Sequence, residues 1–211
     1  MFLRRVGPLT GFLLILACGG EKKPDNRVVC LEGGPAVGRV GDCDIPKPSF
    51  RYAVMLSRGA GGQDRALHSL FEREILAQGA LEAGDAPASA SEVQQRIAAG
   101  EALLLGQRMS SPPWFEEGSF SMRGLKDWVG SLGLTMDEFV AEQRREMLAQ
   151  RMRERVGGAA PDPVKVEAWR SKRCDELLGR GRISVVPEVS TDFQPCAPPP
   201  LAIDPGALNL E

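Results

Sequence analysis

Strand chemistry at both ends of an otherwise helical sequence is the strongest constraint on how this chain folds. Val37-Gly38-Arg39-Val40-Gly41-Asp42-Cys43-Asp44-Ile45 reads as two short strands about a Gly-Asp turn. Far downstream, Arg182-Ile183-Ser184-Val185-Val186 has the same character and is ended by Pro187. A lone two-stranded hairpin is marginal in water and a lone strand is worse. Ile183–Val186 is therefore expected to return and pair with the opening hairpin, so that the two ends close one unit. Val28-Val29-Cys30-Leu31 is a further strand candidate, cut off by Gly33-Gly34-Pro35.

Between these ends the apolar residues recur at helical spacing. Pro48 and Ser49 open a helix with Phe50, Val54 and Met55 that stops at Gly59–Gly62. A second helix is expected from about Asp64 to Ala83, carrying Leu67, Leu70, Phe71, Ile75 and Leu81 and closed by Gly84. Ser89 with Glu92 has capping-box spacing and starts a third through Val93 and Ile97. Residues 100–118 read as an irregular excursion. Ser121 starts a short helix with Leu125, Trp128, Val129 and Leu132, and Gly133 ends it. Thr135 and Glu138 form a second capping box before the longest helix, about Met136–Val156. Asp162-Pro163 caps the last, which holds Val166, Trp169 and Leu177. The fold class is thus mainly α (α+β), a helical array with a small sheet of N-terminal strands and a C-terminal strand.

The extreme N-terminus reads as an address. Arg4 and Arg5 precede the apolar run Val6–Ala17, which is too short to span about 30 Å of hydrocarbon as a helix. The run ends Ile15-Leu16-Ala17-Cys18-Gly19, which resembles the bacterial lipobox. That resemblance implies removal of residues 1–17, acylation of Cys18 as the lipid anchor, and, with Gly19 and not Asp next, sorting to the periplasmic face of the outer membrane. Each buried CH₂ of the acyl chains would add about 0.8 kcal/mol to anchoring. Residues 18–27 read as a flexible tether, and 188–211 as an irregular Pro-rich tail.

Four cysteines then remain: Cys30, Cys43, Cys174 and Cys196. In an oxidising compartment they allow two disulfides and three connectivities. The pairing is open, and bridges joining the two chain ends are the expectation. With no CxxC and no adjacent histidine, neither redox catalysis nor zinc is expected.

Composition narrows the chemistry further. The 26 Lys+Arg and 28 Asp+Glu give a net charge of −2 without a basic block, so no nucleic-acid partner is expected. One histidine, His68, excludes paired-imidazole chemistry and reads as a surface or boundary residue. Glu72, Arg73 and Glu74 read as a solvated face. The Arg/Glu span Glu142–Arg155 reads as helix-stabilising pairs such as Glu142 with Arg145. No phosphate loop or Ser-His-Asp set is present, and no cofactor or metal is expected.

Three stretches carry a family resemblance: VGRVGDCDIPKPSF (Val37–Phe50), LHSLFEREILAQGALEAG (Leu67–Gly84) and FEEGSFSMRGLKDWVGSLGLTMDEFVAEQRREMLAQRM (Phe115–Met152). Their order and spacing resemble the N-terminal chaperone domain of SurA and PpiD, periplasmic folding factors whose helical architecture is related to that of trigger factor. Matched residues span about Val37–Val186, and residues 28–187 are taken as the chaperone-like domain. Pro46 and Pro48 depart from the family's usual polar cap. Relatives often carry a parvulin prolyl isomerase domain after the long helix, but the sequence from Val156 onward is too short for one and has no histidine. A family label of peptidyl-prolyl isomerase is therefore not expected to describe an activity here.

The resemblance implies a membrane-anchored, ATP-independent chaperone-like lipoprotein whose partners are unfolded or nascent envelope polypeptides. A structural or assembly lipoprotein holding one specific partner is the alternative. Flexible thioethers and aromatics suit varied clients, and Met109, Met122, Met136, Met147 and Met152 cluster with aromatic residues. Leu103, Leu104, Leu105, Trp114, Phe115, Phe120, Met122 and Trp128 are the candidates for a client-binding groove.

Overall fold

In the computed structural model, residues 30, 35–57, 62–105, 107–108, 112–116, 118–189 and 192–197 are described. Cys18, the leader, the tether, Met109 and residues 198–211 lie outside them, as does the strand candidate at Val28–Leu31 apart from Cys30, which is in no strand.

The opening hairpin is β1 (Ala36–Val40) and β2 (Cys43–Pro46), antiparallel, with Val40 opposite Cys43. It runs straight into α1 (Lys47–Leu56). Next come α2 (Gly62–Glu82) and α3 (Ala90–Ala98), then four two-residue strands: β3 (Leu103–Leu104), β4 (Gln107–Arg108), β5 (Phe115–Glu116) and β6 (Ser119–Phe120). Helices α4 (Met122–Ser131), α5 (Met136–Gly157) and α6 (Pro163–Gly179) follow, and β7 (Ile183–Val185) closes the order.

β7 does return. It pairs antiparallel with β1, with Val40 opposite Ile183 and Gly38 opposite Val185, giving the sheet order β2-β1-β7. Gly41 N–H to Arg182 O (2.7 Å) and Val186 N–H to Val37 O (3.0 Å) extend the ladder at both ends. The fold is mainly α with a small antiparallel sheet. The excursion after α3 is more regular than expected, because β3–β4 and β5–β6 each close a minimal hairpin.

Local chemistry places the helix starts. The Ser89, Ser121 and Asp162 side chains accept from Glu92, Gly124 and Val164 N–H respectively. Thr135 makes the reciprocal capping box with Glu138. Packing then orders the helices. α2 and α5 form the central pair, and α6 lies close enough to α2 that a Cβ at Gly79 would collide with the Trp169 ring.

Both disulfides form, but neither joins the two chain ends. Cys30–Cys43 ties the N-terminal segment to β2 (Cα–Cα 4.9 Å), and Cys174–Cys196 ties α6 to the chain after β7 (5.5 Å). The sheet joins the ends instead, because β7 is already seated on β1. Residues 192–197, expected to be part of an irregular tail, are non-helical but packed, with Phe193 and Cys196 against the core under the sheet. Since Cys43 is fully buried, the double variant Cys30→Ala/Cys43→Ala tests the first bridge. It is expected to lower unfolding free energy by about 3 kcal/mol, the loop-closure value for a loop of this size, as read by urea denaturation.

Candidate functional site

Two places bring chemistry-bearing residues together, and only one was expected. The expected one is the apolar segment between α3 and α5. Leu103 and Leu104 are buried on β3, and the Gln143 side chain acts there as a substitute strand. Its Nε2–H donates to Leu103 O (2.7 Å), and its Oε1 accepts from Leu103 N–H (3.0 Å). Leu105 is half-buried and turns the chain with φ 48°. Trp114 is 0% exposed, and its indole N–H donates to Ile97 O (3.1 Å). Its ring lies 4.8 Å from Trp128 and 6.4 Å from Phe139, while Phe115 and Phe120 meet edge-on at 6.2 Å.

Leu104, Leu105, Trp114, Phe115, Phe120 and Trp128 form one cluster with Tyr52, Leu125, Val129 and Phe139, while Leu103 is buried beside it. They are brought together as expected, but into a core. Met122 alone among the groove candidates is largely exposed, at 49%. The nearby recess between β2, α1 and α5 is lined by Pro46, Pro48, Ser49, Leu134, Glu138, Ala141 and Glu142, a small hollow of mixed apolar and polar character.

The second place went unread in the sequence. Arg73, Glu74, Glu142, Arg145 and Glu146, expected on solvated faces or in pairs within one helix, are all buried between α2 and α5. Glu142 does not pair with Arg145 as expected. It accepts from Arg73 Nη1 across the helix interface and from the Ser49 hydroxyl of α1. Arg73 Nη1 also lies 3.6 Å from Glu146 Oε1. Arg145 grips Glu74 with two N–H groups, one of them Nε at 3.0 Å. Gln78 donates to Glu74 (3.2 Å) and to the Val40 carbonyl of β1, linking the cluster to the sheet. Further along α5, Arg151 reaches Glu92, Arg153 reaches Glu72 and Arg155 reaches Asp85, again between elements. Like the buried set, these pairs sit at helical spacings that look the same in sequence whether a face is wet or covered.

Burial governs the electrostatics here. Desolvation and the Arg73 charge push Arg145 down to about 9, so it is still cationic at neutral pH. Desolvation, then the Glu146 and Glu142 charges, raise the Tyr52 phenol well above its usual value. Its hydroxyl has no hydrogen-bond partner among the described residues. An unfolded tyrosine ionises near pH 10 while the buried one keeps its proton, so the stability Tyr52 contributes is full below about pH 10 and is lost as pH rises through the native value. Tyr52→Phe is expected to remain as stable as the parent at pH 7 and to lose less stability between about pH 10 and 12, measured by denaturant titration across that range.

The cluster is built for cohesion. Its carboxylates are engaged by guanidinium, hydroxyl or amide donors, and Glu142, which also lines the small recess, is held there by both Arg73 and Ser49. Among the described residues no group of three or more His, Cys, Asp and Glu side chains is placed to hold a metal ion. No described helix is long and apolar enough to cross a membrane. Comparison with known protein families, curated proteins and solved structures finds no match.

Proposed function

We propose that this chain is a lipid-anchored polypeptide-binding module of the cell envelope, without catalysis of its own, related to the N-terminal chaperone domain of SurA and PpiD. The observation that carries this reading is the topology. An N-terminal hairpin, a helical array and a returning strand β7 on β1 occur in the order the family resemblance implies. Helix α5 passes to α6 through residues 158–162, so no isomerase domain stands between the long helix and the closing strand.

General capture of unfolded clients requires an exposed apolar surface. The packing of Trp114, Leu103 and Leu104 into the core favours the narrower mode, in which the resting protein holds one specific partner. Anchoring rests on Cys18, and the partner is an envelope polypeptide.

Two measurements separate these modes. Crosslinking and pull-down from envelope extracts is expected to recover one stoichiometric polypeptide, and the oxidised protein is expected to leave the aggregation of three unrelated denatured proteins largely unchanged. Suppression of all three would instead establish general capture, and a chain that recovers no polypeptide and suppresses no aggregation would sink the binding reading. Faster prolyl isomerisation in a protease-coupled assay would overturn the non-catalytic part. Labelled palmitate should enter the wild-type chain and not Cys18→Ala.

A further inference from the structure

Residues 192–197 lie against α2 and carry an aromatic side chain into it. The Phe193 ring centroid is 4.6 Å from the His68 ring, edge-on, and 5.4 Å from Phe71. Phe71 is 0% exposed and also meets Gly38 of β1, where an added Cβ would stand 2.7 Å from Phe71 Cζ. Phe71 thus touches both the sheet and Phe193. Val189 and Cys196 pack on the same cluster.

The manner of attachment matters. Within the segment, Ala197 N–H donates to Gln194 O and closes a local turn. Its attachment to the body, among the described contacts, is through the Phe193 ring, Cys196 packing and the Cys174–Cys196 bridge to α6. A segment held by few side chains and one covalent link opens as a unit more readily than a strand in a ladder. Burial and the Arg170 charge lower the His68 pKa, so a neutral imidazole faces the Phe193 ring at neutral pH. The surface beneath is therefore an apolar notch floored by Phe71 and edged by a neutral His68. Such a notch suits one aromatic anchor on a non-helical peptide, the mode its own chain already displays.

We propose that residues 192–197 form a strap occupying, within the same chain, a docking surface for a non-helical polypeptide segment bearing an aromatic side chain, and that reduction of Cys174–Cys196 releases it. The reductant is a dithiol. One of its thiolates attacks the bridge to form a mixed disulfide, and its second thiolate resolves that intermediate. Two electrons and two protons leave Cys174 and Cys196 as thiols and the dithiol as a disulfide. While the bridge is intact, the strap competes intramolecularly at high effective concentration, and any external peptide is excluded. This inference rests on the polypeptide-binding reading and adds to it a second surface, opened only by reduction and separate from the one by which the resting protein holds its partner.

The test uses the full chain in three forms: oxidised wild type, wild type reduced with dithiothreitol, and Cys174→Ser/Cys196→Ser/Phe193→Ala. The probe is a fluorescein-labelled peptide copying residues 188–197 with Cys196→Ser, followed by anisotropy, alongside the same peptide carrying Phe193→Ala. The triple variant is expected to bind the first peptide at least about tenfold more tightly than the oxidised protein, with the reduced wild type between them. The Phe193→Ala peptide should show no such gain. A triple variant that melts cooperatively yet binds both peptides alike, or no better than the oxidised protein, overturns the proposal.

Should the triple variant fail to fold, hydrogen exchange of the wild type before and after reduction decides. Faster exchange at residues 186–197 and the α2 turn around His68, apart from that near β2 where reduction also cuts Cys30–Cys43, supports the strap. Unchanged protection at 192–197, or lost protection along α5, overturns it. Either failure would leave the pull-down result on the oxidised protein standing, so the two readings fall separately.

Discussion

Replacing Arg73 with methionine is expected to lower unfolding free energy by about 3–5 kcal/mol, one of the two largest single-residue effects in this chain. Arg73 is 1% exposed and its Nη1 serves Glu142 directly, with Glu146 at 3.6 Å. Without it, Glu142 stays buried without the guanidinium that it faces, and the cost is that of uncompensated charge more than of a lost bond. The loss should grow with pH. Burying an ionised carboxylate without its cation costs more than burying the neutral acid, so the variant loses ground as pH rises.

Arg73→Met/Glu142→Leu removes both partners of the direct pair and is expected to recover a good part of the loss, because apolar replacement of a buried ion pair is often near neutral. Ser49 would then lose its acceptor, which limits the recovery. By contrast Arg123→Ala, at a largely exposed pair with Asp127, should stay within about 0.5 kcal/mol. Guanidinium chloride titrations at pH 5 and pH 8 read all three variants. An Arg73→Met protein as stable as its parent at both values would mean that the cluster is not the brace between α2 and α5.

Trp114→Ala is expected to cost a similar amount, about 3–5 kcal/mol, for a different reason. The indole is fully buried against Trp128 and Phe139 and bonds the end of α3 through Ile97 O. Its removal leaves a large cavity and takes one donor from the Ile97 carbonyl, which keeps the Gly100 N–H at 3.1 Å. Met122→Ala, at the exposed start of α4, should change stability by no more than about 0.5 kcal/mol. This pair bears directly on the groove expectation. If a binding defect in Trp114→Ala tracks its lowered melting temperature, and Met122→Ala binds normally, the aromatic cluster acts as core. A Trp114→Ala protein of parental stability that fails to bind would make the indole part of a binding surface.

The contrast between Trp114 and Arg73 shows what kind of information the residues carried. Trp114, Phe115, Phe120 and Trp128 were legible as a group because apolar side chains have one good destination. Whether that destination is a groove or a core depends on whether other elements cover it, and here α1 supplies Tyr52 and α3 supplies Val93 and Ile97 to close it. The strap was less legible. Phe193 and Cys196 sit among prolines with no periodicity, and the bridge to Cys174 on α6 together with the Phe193 ring against His68 and Phe71 brings them back onto the body.

The sequence by itself determined the helix starts at Ser89, Ser121, Thr135 and Asp162, and the meeting of the chain ends through β7. Those outcomes follow from interactions a few residues apart, or from strands that have no other partner. Only the tertiary structure decided which charged faces of α2 and α5 would be sealed, which cysteines would pair, and whether the aromatic cluster would be open. Each of these depends on what lies opposite. An Arg-Glu pattern at helical spacing reads the same against water as against a second helix carrying the matching charges.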